Sequence, residues 1–239
     1  MKLNLKPFVI SVMIVCTPLP TVVFAHTPNN PDGPSALASP VFGSEVPQRH
    51  FNAAAQAFIK KDYRTAATEI RKATRYMHLE SERASGDARQ ALDSSVIELN
   101  KLANVVESNT VKDYQSLRKK FAQANYALAL AHRNEAADAW GSKEYHDVGY
   151  ELKAAAADLQ NATSWIGPRV EKDASGLVAD SIAMGDKIIS GATNWTRDQV
   201  GRAFEGLGLA LNDLGRKIDA KHRPAAGRGT LVHIVNHPA

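Results

Sequence analysis

A pattern of sixteen residues occurs twice in this chain, as "FIKKDYRTAATEIRKA" at 58–73 and, 82 residues later, as "WGSKEYHDVGYELKAA" at 140–155. Each copy has an aromatic residue, then a Lys, an acid and a Tyr, and later a Glu, an aliphatic residue, a base and an Ala. The pattern predicts that the aromatic residue ends one helix, that the Lys and the acid form a tight turn, and that the Tyr begins the next helix. Because an amphipathic helix cannot bury its apolar stripe alone, we expect the two helical hairpins to share a core.

Apolar residues at alternating spacings of three and four predict further helices in the rest of the chain. The predicted helices cover 48–60, 63–106, 111–140 and 143–166, and the second contains one extra interval of four near Ser95. A fifth amphipathic segment follows at 167–222. The sequence therefore predicts an all-α fold, an elongated antiparallel bundle of two duplicated hairpins (48–166) with a long C-terminal amphipathic helix.

The two predicted turns, "KKDYRTA" and "SKEYHDV", resemble the turn of a tetratricopeptide-type unit, where an alanine-rich helix meets "G-D-Y-x-x-A". This resemblance implies paired antiparallel helices of the kind that stack into superhelical, peptide-binding arrays. Such arrays repeat about every 34 residues, whereas the period here is 82 and the intervening helices are longer. We therefore expect an antiparallel bundle with an internal duplication instead of an array.

The first 25 residues have the features of a cleaved secretory signal peptide. Lys2 and Lys6 precede an apolar run at 8–15, and small residues place the predicted cleavage after Ala25. We therefore expect a periplasmic or secreted protein. The only cysteine, Cys16, lies in this leader, so the mature chain would rely on a hydrophobic core without disulfides.

Two segments outside the helices are rich in residues that disfavour regular structure. Residues 26–47 contain many Pro, Gly, Ser and Asn and predict a flexible linker, and 223–239 predict a mobile tail. The formal net charge of +4 includes two signal-peptide lysines, so the mature chain would carry only +2. Such a weak charge gives no reason to expect a nucleic-acid partner.

The sequence contains no motif typical of an enzyme. There is no cysteine after the leader, no G-x-S-x-G motif and no phosphate-binding glycine loop, so we expect neither catalysis nor a cofactor. Two histidine–acid pairs have helical spacing and could bind a metal, and so could His26 once cleavage makes it the first residue. Neither helical histidine falls on an apolar stripe, so exposed or boundary pairs are the favoured interpretation. The candidate ligands are His26, His78, Glu82, His132 and Glu135.

The fifth segment combines an apolar stripe with three glycines spaced seven apart. Glycine destabilises a helix by about 1 kcal/mol relative to alanine, so three in register suggest close packing by another backbone. The stripe could instead dock on the protein's own helices. We predict partner contacts at Gly201, Phe204, Leu207, Gly208, Leu211 and Gly215.

Three hypotheses for function follow from these features. The first is an exported, non-enzymatic binding or scaffold protein whose partner is another envelope protein or a small ligand; the oligomeric state stays open. The second is a peripheral membrane protein that attaches through its C-terminal helix. The third is a periplasmic metal-binding protein. Basic residues flanking the stripe support the second hypothesis: Lys187, Arg197, Arg202, Arg216 and Lys217.

Overall fold

The computed structural model describes residues 40–111, 113–191 and 194–219. Within these ranges the chain forms seven α-helices and no strand, which confirms the predicted all-α fold. The predicted signal peptide, His26 and the predicted tail lie outside the described residues. The helices are α1 (Pro40–Ile59), α2 (Tyr63–Arg83), α3 (Gly86–Glu107), α4 (Tyr114–Ser142), α5 (Tyr145–Ile166), α6 (Pro168–Ile189) and α7 (Arg197–Lys217).

Successive helices run antiparallel, and α4 lies at the centre of the bundle. Side-chain contacts between helices show the direction: His132 of α4 contacts Glu151 of α5, and Arg118 near the start of α4 contacts Ser164 near the end of α5. α4 packs against five other helices, α1, α2, α3, α5 and α7. Phe121 of α4 stacks on Phe51 of α1, with ring centroids 4.5 Å apart. One contiguous apolar core therefore unites the bundle.

The duplicated sequence forms two turns of the same geometry. Lys61 and Lys143 adopt left-handed backbone conformations, with φ of 62° and 63°. The amides of Asp62 and Glu144 each donate a hydrogen bond to the carbonyl five residues earlier, at 2.9 Å in both turns. The prediction that the repeat encodes two helical hairpins, α1–α2 and α4–α5, is confirmed.

Aromatic rings fix each turn in the same way. The pairs Phe58–Tyr63 and Trp140–Tyr145 make edge-to-face contacts, with centroids 5.5 and 5.4 Å apart. Such contacts favour one arrangement of the two helix ends beyond the area they bury. A third ring joins each pair: Tyr114 stacks on Phe58 in the first hairpin, and Trp195 contacts both Trp140 and Tyr145 in the second.

The prediction of one helix over 63–106 is wrong, because the chain breaks at Ala84 and Ser85. Gly86 has a φ of 55°, a left-handed conformation that glycine adopts without steric cost. α3 then folds back along α2, where Arg71 donates a hydrogen bond of 2.6 Å to Glu107. The extra interval near Ser95 is therefore not a stutter in a long helix.

The prediction of one long C-terminal helix is also wrong. α6 and α7 are separate helices, and α7 begins with a capping box in which Thr196 and Gln199 exchange side-chain to backbone hydrogen bonds. α1 begins at Pro40, so the last residues of the predicted linker are helical. Proline fits the first turn of a helix because its missing N–H needs no partner there. A second proline, Pro47, lies inside α1, and its side chain is buried.

Helices α5 and α6 approach each other closely where two glycines face each other. A Cβ atom on Gly185 would lie 2.6 Å from the carbonyl oxygen of Gly149, and one on Gly149 would lie 2.8 Å from the carbonyl oxygen of Gly185. Both distances are shorter than van der Waals contact with backbone atoms. At this point small residues allow two helix backbones to touch.

We expect Gly185→Ala to lower the free energy of unfolding by about 1–3 kcal/mol, because α5 and α6 must move apart to admit the methyl group. Denaturant unfolding followed by circular dichroism measures the change. The matched control is Gly176→Ala in the same helix, where the added methyl group meets open space. For that control we expect the free energy of unfolding to rise by up to about 1 kcal/mol. Similar effects of the two substitutions would contradict the close approach.

Candidate functional site: a buried histidine–carboxylate cluster

The apolar side chains among the six residues predicted to contact a partner belong to the core of this protein. Phe204, Leu207 and Leu211 have no exposed surface. Gly215 is buried, and Gly201 and Gly208 are half-buried. In this structure the stripe docks on the protein's own helices and presents no apolar face to a partner or a lipid surface. Among the described residues, none of the helices combines the length and the apolar character needed to cross a membrane.

Gly208 has a different role from the one predicted. A Cβ atom there would lie 3.1 Å from a guanidinium nitrogen of Arg133, so the glycine makes room for a side chain of α4. Arg133 is itself buried, and burial lowers its pKa. The prediction that another backbone packs against this position is therefore wrong.

The predicted pair His78 and Glu82 is an exposed contact on α2. His78 Nε2 and Glu82 Oε1 lie 3.6 Å apart, and 61% and 59% of the two side chains are exposed. Among the described residues no third ligand joins them. This pair agrees with the favoured interpretation of a surface pair.

His132 and Glu135, in contrast, lie inside the bundle. His132 is 1% exposed, so the prediction of a boundary position is wrong. The reason is the central place of α4, whose faces are covered by neighbouring helices even beside its apolar stripe. Glu151 of α5 completes the group: His132 Nδ1 lies 2.8 Å from Glu151 Oε2 and 3.7 Å from Glu135 Oε2. One ligand atom from each of the three residues falls within 4.8 Å of the others.

Two further buried acids adjoin this group. Asp158 is completely buried on α5, two helical turns after Glu151, and its Oδ2 lies 3.5 Å from His132 Nε2. Neither Asp158 oxygen has a hydrogen-bond partner among the described residues, and the same holds for His132 Nε2. Glu80 of α2 is 4% exposed and also leaves one oxygen without a partner. Buried polar atoms without partners each cost about 1–3 kcal/mol, more if charged, so this cluster is incomplete as it stands.

The cluster contains more acidic than basic groups. Burial raises the pKa of Asp158 to about 8, an effect that Glu80 and Glu151 reinforce. Burial likewise raises the pKa of Glu151. Burial alone would lower the pKa of His132, but its interactions with Glu135 and Glu151 hold that pKa well above its usual value.

Arg83 provides the remaining positive charge at the edge of the cluster. Its guanidinium nitrogens lie 3.4 Å from Glu80 and 3.7 Å from Glu135. About half of the Arg83 side chain is exposed, so solvent weakens both ion pairs. If all four carboxyl groups were ionised, Arg83 and a protonated His132 would leave two negative charges unbalanced.

The first hairpin contains an equivalent histidine–glutamate pair, but the charge of that pair is balanced differently. His50 Nδ1 lies 2.6 Å from Glu69 Oε2, and both residues precede His132 and Glu151 by 82 positions. There Lys72 donates a hydrogen bond of 2.6 Å to the other oxygen of Glu69. The position equivalent to Lys72 in the second hairpin is the buried Ala154. Conversely, the positions equivalent to Glu135 and Asp158 are Ala53 and Tyr76.

The two hairpins therefore differ in how they balance charge. The first has one acid beside its histidine and a lysine bound to that acid. The second has no lysine at the equivalent position, and three acids surround its histidine. A cation at the second site would balance the charge of its acids, as Lys72 balances the charge of Glu69 at the first.

The geometry of the second site fits a metal ion. Ligand atoms at about 2.1 Å from a common ion lie about 3.0 Å apart in an octahedral shell and about 3.4 Å apart in a tetrahedral one. The distances of 2.8 and 3.7 Å from His132 Nδ1 to the two glutamates bracket those values. One imidazole nitrogen with carboxylate oxygens suits divalent transition ions better than calcium, which prefers oxygen alone. The Glu135 side chain is 22% exposed and so gives an ion access from solvent.

No protein-family model, curated protein or solved structure matches this chain. The likeness of the two turns to a tetratricopeptide-type unit stays a resemblance over sixteen residues in each copy. What the protein does must therefore be argued from the chemistry of its own buried cluster.

Proposed function

We propose that this protein is an exported, non-enzymatic binding protein that holds a divalent transition-metal ion at His132, Glu135 and Glu151. The observation that supports the proposal is the convergence of a buried imidazole and two carboxylates in a cluster that has too few positive charges and too few hydrogen-bond donors. Export is the part of the proposal that rests on the leader sequence alone.

Charge balance favours a metal ion over a cluster without one. A histidine that binds a metal is neutral, so the metal ion replaces the protonated histidine as a positive charge of the cluster. A divalent ion and Arg83 together supply three positive charges against the four carboxylates of Glu80, Glu135, Glu151 and Asp158. Without the ion, the folded protein must hold protons on buried acids, as the raised pKa values of Asp158 and Glu151 indicate.

The duplication provides the argument that the site differs from an ordinary buried ion pair. In the first hairpin, the glutamate partner of the histidine is satisfied by a cation that belongs to the chain, Lys72. In the second, the equivalent residue is the buried Ala154, which carries no charge. The same local fold thus occurs twice. The first copy has a lysine side chain beside its glutamate, and the second has an arrangement that suits a free metal ion.

We expect the metal-stripped full chain, without an affinity tag containing histidine, to bind one equivalent of Zn²⁺, Co²⁺ or Mn²⁺. Isothermal titration calorimetry gives the stoichiometry, and His132→Gln or Glu151→Gln should weaken binding at least about 100-fold, since each removes a ligand. The matched controls are His50→Gln and Glu69→Gln, which alter the equivalent pair of the first hairpin and should leave the affinity unchanged.

Two results would refute this proposal. One is the absence of stoichiometric binding by the natural chain for all three ions. The other is an equal loss of affinity in the variants of the two hairpins, which would show that the ion does not distinguish between them. Circular dichroism of every variant establishes that the fold is retained.

A further inference from the structure

We infer that Asp158 positions His132 for metal binding by accepting a hydrogen bond from Nε2–H, so that Nδ1 is the atom that binds the ion. This inference rests on the proposed function and names a residue outside the three ligands. It assigns Asp158 no direct contact with the ion.

The two nitrogens of His132 face different groups. Nδ1 faces Glu151 and Glu135, the two other proposed ligands, whereas Nε2 faces Asp158 Oδ2 at 3.5 Å. A neutral imidazole carries one proton, and the nitrogen that binds a metal must be the other one. With the ion on Nδ1 the proton lies on Nε2, and Asp158 is the carboxylate positioned to accept it. The separation of 3.5 Å exceeds that of an ordinary hydrogen bond, about 2.9 Å, and we expect it to shorten when the ion binds.

Asp158 interacts electrostatically with Tyr76 of α2 but makes no hydrogen bond with it. It is completely buried, and neither of its oxygens has a hydrogen-bond partner among the described residues. An acid in such a place is costly unless a donor pairs with it. The unpartnered Nε2 of His132 is the donor that faces it. Asp158 Oδ2 and His132 Nε2 therefore satisfy each other when Nε2 carries a proton.

The first hairpin lacks this arrangement. At the position equivalent to Asp158 it has Tyr76, which interacts with Glu80 instead of with the histidine of its own hairpin. The acid behind the imidazole is thus particular to the hairpin in which we propose the metal. Carboxylate partners of metal-binding histidines fix ring orientation and typically change metal affinity by about 10–100-fold.

The test combines zinc affinity with nuclear magnetic resonance of the ¹⁵N-histidine-labelled full chain. In the natural protein with one equivalent of Zn²⁺, long-range proton–nitrogen correlations should show zinc on Nδ1 of His132 and the proton on Nε2. Near pH 8.5, above the pKa of about 8 of Asp158, we expect Asp158→Asn to weaken zinc binding about 10–100-fold. It should also move the Nε2–H proton signal upfield, because an amide oxygen is a weaker acceptor than a carboxylate.

The matched control is Glu80→Gln. It removes an acid from the same buried cluster, but the structure records no contact between Glu80 and His132. Glu80 acts on His132 only through the pKa of Asp158, so the Nε2–H signal should shift much less than in Asp158→Asn. Zinc bound to Nε2, or equal changes of affinity in the two variants with unshifted His132 signals, would overturn the role of Asp158. So would an unchanged affinity in Asp158→Asn.

These outcomes separate this inference from the proposed function. If Asp158→Asn binds zinc as the natural chain does while Glu151→Gln does not, the metal site stands and only the positioning role falls. If the natural chain binds no zinc, both fall. Asp158→Asn conserves shape and removes a buried acid, and its unfolding curve establishes that it folds.

Discussion

The metal-free protein is expected to lose stability as the pH rises from about 5 to about 9. The reason is the buried cluster: the pKa of Asp158 is 3.8 when unfolded and about 8 when folded, mainly through burial. Between those values the folded protein binds one proton more than the unfolded chain. The free energy of unfolding therefore falls with rising pH, by up to about 1.4 kcal/mol per pH unit. Between pH 5 and pH 9 Asp158 accounts for about 4 kcal/mol.

Two neighbours of Asp158 act in the same direction. The raised pKa of His132 gives stability that is fully present below about pH 6.5 and is lost as the pH rises through the folded value. The raised pKa of Glu151 also favours the folded state at lower pH. Glu135, whose pKa is lowered despite its burial, acts oppositely and gives stability that is lost in stronger acid. Maximum stability is therefore expected between about pH 4 and pH 5.

Thermal unfolding in the presence of a chelator, followed from pH 5 to pH 9, measures this dependence. Asp158→Asn should flatten it, because asparagine does not titrate. At pH 9 this variant should be more stable than the natural protein by roughly 2–4 kcal/mol, after allowance for its buried amide. At pH 5, where Asp158 is protonated, the two should agree within about 1 kcal/mol. Equal slopes in the two proteins would contradict the assignment of the effect to Asp158.

Phe204→Ala in α7 is expected to lower the free energy of unfolding by about 3–5 kcal/mol. Phe204 is completely buried against the bundle, and truncation of a buried aromatic ring removes its contacts and leaves a cavity. A loss of this size is a large share of the 5–15 kcal/mol that holds a typical domain together. A small loss would mean that α7 is not docked in solution, and would return it to the role of a partner-binding or membrane-binding helix.

The control for this substitution is Leu209→Ala in the same helix. Leu209 is 59% exposed, so its truncation should change the free energy of unfolding by less than about 0.5 kcal/mol. Urea unfolding near pH 6 gives both values under the same conditions. If Leu209→Ala lowered the free energy of unfolding as much as Phe204→Ala does, the stability of α7 would depend on helix propensity or an additional contact and not on burial in the bundle.

The duplicated turns could be predicted because their determinants are local. An aromatic residue, a lysine in a left-handed conformation, an acid and a tyrosine follow one another within six residues in each copy. The break between α2 and α3 was missed because the apolar spacing continues across it, while one glycine decides where the chain turns. Periodicity shows which residues face a core but does not show whether two successive segments form one helix or a hairpin.

The buried cluster was only half visible in the sequence. His132 and Glu135 stand out by their spacing, but the burial of His132 depends on the five helices that pack around α4. Glu151 was missed as a ligand, although the sequence does contain a signal for it. In each hairpin a histidine precedes a glutamate by nineteen residues, and antiparallel helices joined by a turn between them bring the two together. Asp158 carries no such signal, because its partner is set by packing alone.

The aromatic cover on the second turn gives the protein an optical signature. The indole rings of Trp140 and Trp195 lie 6.0 Å apart, close enough for their electronic transitions to couple. Trp195 lies just before the start of α7, and Trp140 lies near the end of α4. The coupling therefore exists only while the start of α7 stays on the turn between α4 and α5. The third tryptophan, Trp165, is held elsewhere, edge-on to Phe121 in the core. Near-ultraviolet circular dichroism thus distinguishes the release of the last helix from the melting of the whole bundle, without any added label.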